Sequence, residues 1–251
     1  MDYKLLTMFK LLFEKISPKK FYYFATYLIP WTFLFTVLFI VYGLYLGLFR
    51  APTDYQQGDA FRIMYVHVPS AWLSLFAYTS VFICSLISVI WKIKVFEVIS
   101  IASAKNGAMF TFLALVTGSI WGKPMWGTPW VWDPRLTSFA IMLMFYVGYI
   151  ALWNALENND KAADLTSILC ITGSIFAVLS RYAVLFWDQG LHQGSSLSLD
   201  KAEHISNEFY FPLLISIAGF VMLFLVLLLI RTQTEIRKRR IYALTKLKEN
   251  D

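Results

Sequence analysis

The sequence predicts an all-α integral membrane protein: a bundle of six transmembrane helices with an N-terminal amphipathic cytoplasmic segment and an extracytoplasmic tryptophan-rich loop. Three observations carry this. Hydrophobic residues fill 58% of the 251 positions and charged residues only 15%. The apolar residues fall in blocks of about 20 or more, the length that crosses roughly 30 Å of hydrocarbon. Between two of those blocks, four of the nine tryptophans crowd into the twelve residues from Trp121 to Trp132. The net charge of +6 sits in segments that flank the spans, where basic residues set topology, so it does not point to nucleic acid.

Taken in order, residues 1–20 carry Lys4, Lys10, Lys15, Lys19 and Lys20, with Leu5, Leu6, Phe9, Leu12 and Phe13 at near-helical spacing. That is the pattern of a basic amphipathic segment on a membrane surface, and no small-residue cleavage site marks it as a signal peptide. The spans read Tyr27 to Leu48, Ser70 to Trp91, Ile101 to Ile120, Leu136 to Leu156, Thr166 to Trp187 and Phe211 to Ile230. Lys105, Asn106 and Gly107 interrupt the third near its start. Sixteen of the twenty-two lysines and arginines lie in the N-terminal segment, near 92–105, near 157–165 and in the basic tail 231–251, while 49–69, 121–135 and 188–210 hold five and Arg181 lies within the fifth span. The positive-inside rule then makes both termini cytoplasmic and turns the tryptophan loop outward. The six spans form a single membrane domain over 1–251. Cys84 and Cys170 fall inside apolar runs with no CxxC, as packing residues do.

The stretch Trp121-Gly-Lys-Pro-Met-Trp-Gly-Thr-Pro-Trp-Val-Trp-Asp-Pro-Arg135 is broken by Gly122, Pro124, Gly127 and Pro129, which predicts a flat loop with faces over 121–138 rather than a spanning helix. The three histidines are all expected outside. His67 precedes Pro69, which suits the first turn of the second helix; His192 follows the fifth span; His204 lies among charged residues as a solvated side chain.

Neutral imidazoles are good ligands for iron, and axial histidine is a common way to hold haem. Porphyrin is a flat apolar disc with two carboxylates on one edge. Trp121, Trp126, Trp130 and Trp132 offer faces for it, and Lys123 and Arg135 offer cations. A plain interfacial belt is instead represented by Trp31, Trp91, Trp153 and Trp187, scattered singly at span ends. Asp133 and Pro134 read as an N-cap and first-turn proline of the fourth span. Arg181, a charge inside a span, either snorkels to the outer surface or pairs with a haem carboxylate. No phosphate loop, HExxH or nucleophile–histidine set occurs, so any ATP-driven step belongs to another subunit.

The segment from Trp121 to Ser138 resembles the WWD signature of haem-handling proteins of cytochrome c maturation. The six-span length, the segment from Tyr55 to Pro69 and Leu191-His-Gln-Gly194 point to the CcmC family. The resemblance implies haem b bound non-covalently and transiently at the outer face of the bacterial inner membrane. Its axial ligands would be His67 and His192, and its platform the WWD loop. It further implies delivery to the haem chaperone CcmE, alongside the ABC transporter subunits CcmA and CcmB and the small single-span protein CcmD, all within membrane lipid. The competing expectation is a haem-independent scaffold, or a transporter of another solute, whose tryptophan loop docks a partner.

Overall fold

The computed structural model describes residues 17–157, 159–186 and 206–249. Six α-helices account for most of them: α1 (Pro18–Tyr45), α2 (Met64–Trp91), α3 (Lys94–Trp126), α4 (Pro134–Ala155), α5 (Asn159–Phe186) and α6 (Asn207–Glu249). All six are long and apolar enough to cross a membrane, and no strand is present among the described residues. The protein is an all-α six-helix membrane protein.

The helices outrun the apolar blocks that announce them. Backbone hydrogen bonding continues past the hydrocarbon wherever polar side chains find partners, so α1 starts at Pro18, capped by the Ser17 hydroxyl, which accepts from Lys20 N at 3.3 Å. Asn159 opens α5 where a loop over 157–165 was expected, and its first turns carry Asp160 and Asp164, favourably placed on the helix dipole. The basic tail is helical to Glu249, so α6 has 43 residues, about 64 Å of helix at ~1.5 Å per residue. Of the amphipathic segment, 1–16 lies outside the described residues.

The expected interruption of the third span is instead a packing site. Asn106 is fully buried and donates from Nδ2 to the Phe224 carbonyl of α6 at 3.1 Å, and Lys105 reaches Glu235 at 3.7 Å. Lys105, Asn106 and Gly107 stay helical because other helices pair the Lys105 ammonium and the Asn106 Nδ2 and pack the Tyr146 ring against Gly107. The core between α2, α3, α4 and α6 holds Tyr78, Phe110, Met142, Tyr146 and Phe224. Its phenols donate across helices, Tyr146 Oη to the Ser74 carbonyl at 2.8 Å and Tyr78 Oη to the Cys170 carbonyl at 3.1 Å. Along the α1–α6 seam, a Cβ on Gly43 would lie 2.8 Å from Ser216 N and one on Gly219 would lie 2.7 Å from Ile40 N, so the two backbones approach closely only because both positions are glycine.

Some hydroxyls inside the spans bond to their own helices, whereas those of Ser88, Ser103, Ser216 and Thr232 are buried without a partner among the described residues. Ser70, Thr111, Thr166 and Ser167 donate to carbonyls four residues back at 2.6–2.7 Å. Cys84 and Cys170 are buried free thiols.

Candidate functional site

Between α1 and α2 the chain is drawn tightly over the bundle end. A π-helical turn, Leu46–Arg50, closes with Ala51 N bonding to the Leu46 carbonyl at 2.8 Å. The Asp54 carboxylate then accepts from Gln56 N and Gln57 N, and a 3₁₀ turn, Asp59–Ile63, leads into α2. Arg62 pins the turn, donating from Nη1 to the carbonyls of Gly47 and Leu48 at 3.1 and 3.0 Å while Nε pairs with Asp59 at 2.9 Å.

This lead-in places His67 inside α2 rather than in the loop before it. Pro69 is the sixth helical residue, so its missing N–H removes only the bond to the Tyr65 carbonyl, close to the helix start. The half-buried imidazole lies against α3. Its Nδ1 is 3.1 Å from Thr117 Oγ1, its ring is edge-on to Trp121 at 5.6 Å and 80°, and a Cβ on Gly118 would sit 3.0 Å from its Cε1.

Trp121 is fixed from several sides. Its Nε1 donates to the buried Gln57 Oε1 at 2.8 Å, and it meets Phe61 edge-on at 6.1 Å. Phe61 in turn packs edge-on against Phe209 of α6 at 5.0 Å.

The tryptophan-rich stretch divides in two. Trp121 to Trp126 are helical, which corrects the expectation of a loop throughout 121–138. Pro124 removes one backbone bond near the end of α3, and Gly122 leaves room for the Trp126 ring, whose Cε3 would lie 2.8 Å from a Cβ there. The helix stops at Gly127, in the left-handed region with φ 75°, whose N–H bonds to the Lys123 carbonyl at 3.0 Å.

Beyond it, the Thr128 hydroxyl donates to the Trp130 carbonyl at 3.1 Å, and Trp130 meets Trp132 edge-on at 5.6 Å. Trp132 is 80% exposed, while the buried Nε1 of Trp130 has no hydrogen-bond partner among the described residues. Asp133 then caps α4, accepting from Leu136 N at 2.6 Å with Pro134 next in the helix.

Arg135 lies within electrostatic reach of Asp133 and of Arg181, which faces out of α5 with its guanidinium 5.8 Å from the Tyr182 ring. Lys123 is exposed. His192 and His204 lie outside the described residues.

The structure therefore joins His67 to Trp121, Trp130 to Trp132, and Arg135 to Arg181. Sequence reasoning missed Thr117, Gly118, Gln57 and Phe61. Thr117 is one helical turn before Trp121 on the same face, a signal readable only once α3 is known to continue past residue 120. Chemically, each grouping has a use: an imidazole beside an indole suits a metal carried by a flat apolar ligand, and a pair of arginines and an unsatisfied indole N–H suit anionic or accepting groups.

A family model described as Heme exporter protein C, CcmC, matches residues 11–247. The Heme exporter protein C of Rhodobacter capsulatus is 52% identical over 93% of this chain and 96% of its own, and that of Paracoccus denitrificans is 49% identical over the same shares. That of Escherichia coli K12 is 41% identical over 93% of this chain and 95% of its own. Identity at this level over nearly the whole length, on a six-helix membrane fold, makes the chain a member of the CcmC family, Heme exporter protein C.

Proposed function

We propose that this protein binds haem at the outer face of the cytoplasmic membrane and hands it to the chaperone CcmE during cytochrome c maturation, working with CcmA, CcmB and CcmD. The observation that carries the reading is the His67 imidazole held edge-on to Trp121 at 5.6 Å, at the bundle end opposite the basic tail. The relatives' name, Heme exporter protein C, supports haem as the cargo and haem export for cytochrome c biogenesis as the role. The excess of lysine and arginine at the other end supports cytoplasmic termini and an outward-facing site.

In this reading His67 and His192 supply the two axial nitrogens to a non-covalently and transiently held haem b. The rings of Trp121, Trp126, Trp130 and Trp132 exclude water from the macrocycle. Arg135 and Arg181 repel one another, so a propionate between them relieves that repulsion, with exposed Lys123 as a further cation. The buried Trp130 Nε1 adds a donor for which a ligand oxygen is a natural acceptor.

The test is the absorption spectrum of detergent-purified protein. His67→Ala and His192→Ala should each reduce haem content and shift the Soret band; if neither does, this pair does not ligate the iron. Absence of haem from every preparation, with the tryptophans mattering only for recovery of the complex, would replace the reading with a docking scaffold.

A further inference from the structure

We propose that Thr117 is a positioning residue that fixes the tautomer of His67, so that Nε2 is the nitrogen offered to iron. This rests on the proposed haem ligation and specifies how the chain prepares for it.

The hydroxyl proton of Thr117 is already committed. Oγ1 lies 2.7 Å from the Leu113 carbonyl and 3.2 Å from that of Ala114, and both of those groups can only accept. Oγ1 therefore turns a lone pair toward His67 Nδ1 at 3.1 Å, and the contact is a hydrogen bond only if Nδ1 carries the proton. A neutral imidazole has one N–H, so its remaining lone pair is on Nε2. A hydrogen bond at one ring nitrogen that orients the other toward a metal is the usual support for a ligating histidine.

The ring is also held in place. Cε1 sits over Gly118, where a methyl group would come within 3.0 Å, and Trp121, one turn past Thr117, closes the far side. Thr117, Gly118 and Trp121 thus form a cradle on α3 for a side chain fifty positions earlier in the sequence. A threonine needed only for packing would tolerate valine, which keeps the shape and lacks the acceptor.

The experiment has two arms. In haem-free protein carrying ¹⁵N-histidine, at about pH 8, above the usual histidine range, NMR nitrogen shifts report the tautomer, and the signal lost in His67→Ala assigns the residue. Wild type and Thr117→Ser should show protonated Nδ1, and Thr117→Val should lose that preference. A protonated Nε2 in wild type, or no change in Thr117→Val, overturns the proposal.

In haem titration read at the Soret band, Thr117→Val should weaken binding about ten- to a hundredfold, with Thr117→Ser restoring it. If His67→Ala weakens haem binding and Thr117→Val does not, the positioning role fails while ligation stands. If His67→Ala binds haem as wild type does, ligation fails, and the tautomer measurement still decides what Thr117 does.

Discussion

At the end of the bundle that carries the basic tail, each buried acid is met by a cation from elsewhere in the fold. Glu97, 3% exposed, accepts from Arg239 Nη1 at 2.8 Å and faces Lys94 at 3.6 Å; Glu235 accepts from Trp153 Nε1 at 3.1 Å and faces Lys105 at 3.7 Å. Lys92 pairs with Asp164 at 2.6 Å, and Lys94 also bonds Asp160. At the His67 end, among the described residues, the side-chain bonds that tie α3 to earlier elements are neutral, Trp121 to Gln57 and His67 to Thr117, while the charged clamp of Arg62 stays within the turn between α1 and α2. The tail end closes its buried carboxylates with its own cations. The other places Arg135 within electrostatic reach of Arg181 and leaves the buried Trp130 Nε1 without a partner among the described residues, the features on which the proposed haem site draws.

The largest test of this contrast is Glu97→Ala. It strands Arg239 without its carboxylate, and breaking a buried pair by removing one partner costs about 3–5 kcal/mol. Thermal unfolding in detergent should show a large drop, while haem bound per folded molecule stays at the wild-type level because the damage is at the far end. The double variant Glu97→Met with Arg239→Met should recover most of the loss, since an apolar replacement removes both desolvation costs. An unchanged unfolding temperature in Glu97→Ala would mean that this end is not closed by charge.

The same contrast explains what the sequence could and could not reveal. Six apolar blocks are enough to read the bundle because hydrocarbon permits only helices or closed barrels, and a run of about 20 apolar residues is the length of a spanning helix, not of a strand. Asp133 was legible because an N-cap and its proline are neighbours.

Lys105, Asn106 and Gly107 misled because what keeps them helical lies far along the chain: Glu235, the Phe224 carbonyl and the Tyr146 ring, which a Cβ on Gly107 would meet at 2.2 Å. Trp121 to Trp126 misled in the opposite direction. Glycine and proline there signal a loop, yet one lost backbone bond near a helix end is a small penalty, and Gly122 is where Trp126 packs. For the candidate site, the sequence offers residue types only. The cradle is not legible there, because Thr117 has meaning only once His67 is beside it.

At the His67 end, Trp121→Phe is the next test in size. Phenylalanine keeps an aromatic edge for Phe61 and His67 but leaves the buried Gln57 Oε1 without its donor, a loss of about 1–2 kcal/mol. Because Gln57 belongs to the turn between α1 and α2, amide hydrogen exchange should rise across residues 51–63 and stay unchanged near Glu97. Adding Gln57→Leu should return most of the stability, as removing both partners of a bond is cheaper than removing one. Exchange that rises equally at both ends would show that the two ends are not independent.

The smallest effect separates a cap from a charge. Asp133 accepts from Leu136 N at 2.6 Å and lies within electrostatic reach of Arg135. Asp133→Ala removes both roles and should cost ~1 kcal/mol of stability, whereas Asp133→Asn keeps a capping oxygen and should cost only a few tenths. If capping is the direct role, haem affinity follows stability, and the asparagine variant binds as wild type does. If the charge matters at the site, Asp133→Asn removes the carboxylate that offsets Arg135. Removing it makes that arginine more attractive to an anion, so haem should then bind more tightly in Asp133→Asn than in wild type at low ionic strength, a gain that added salt should erase.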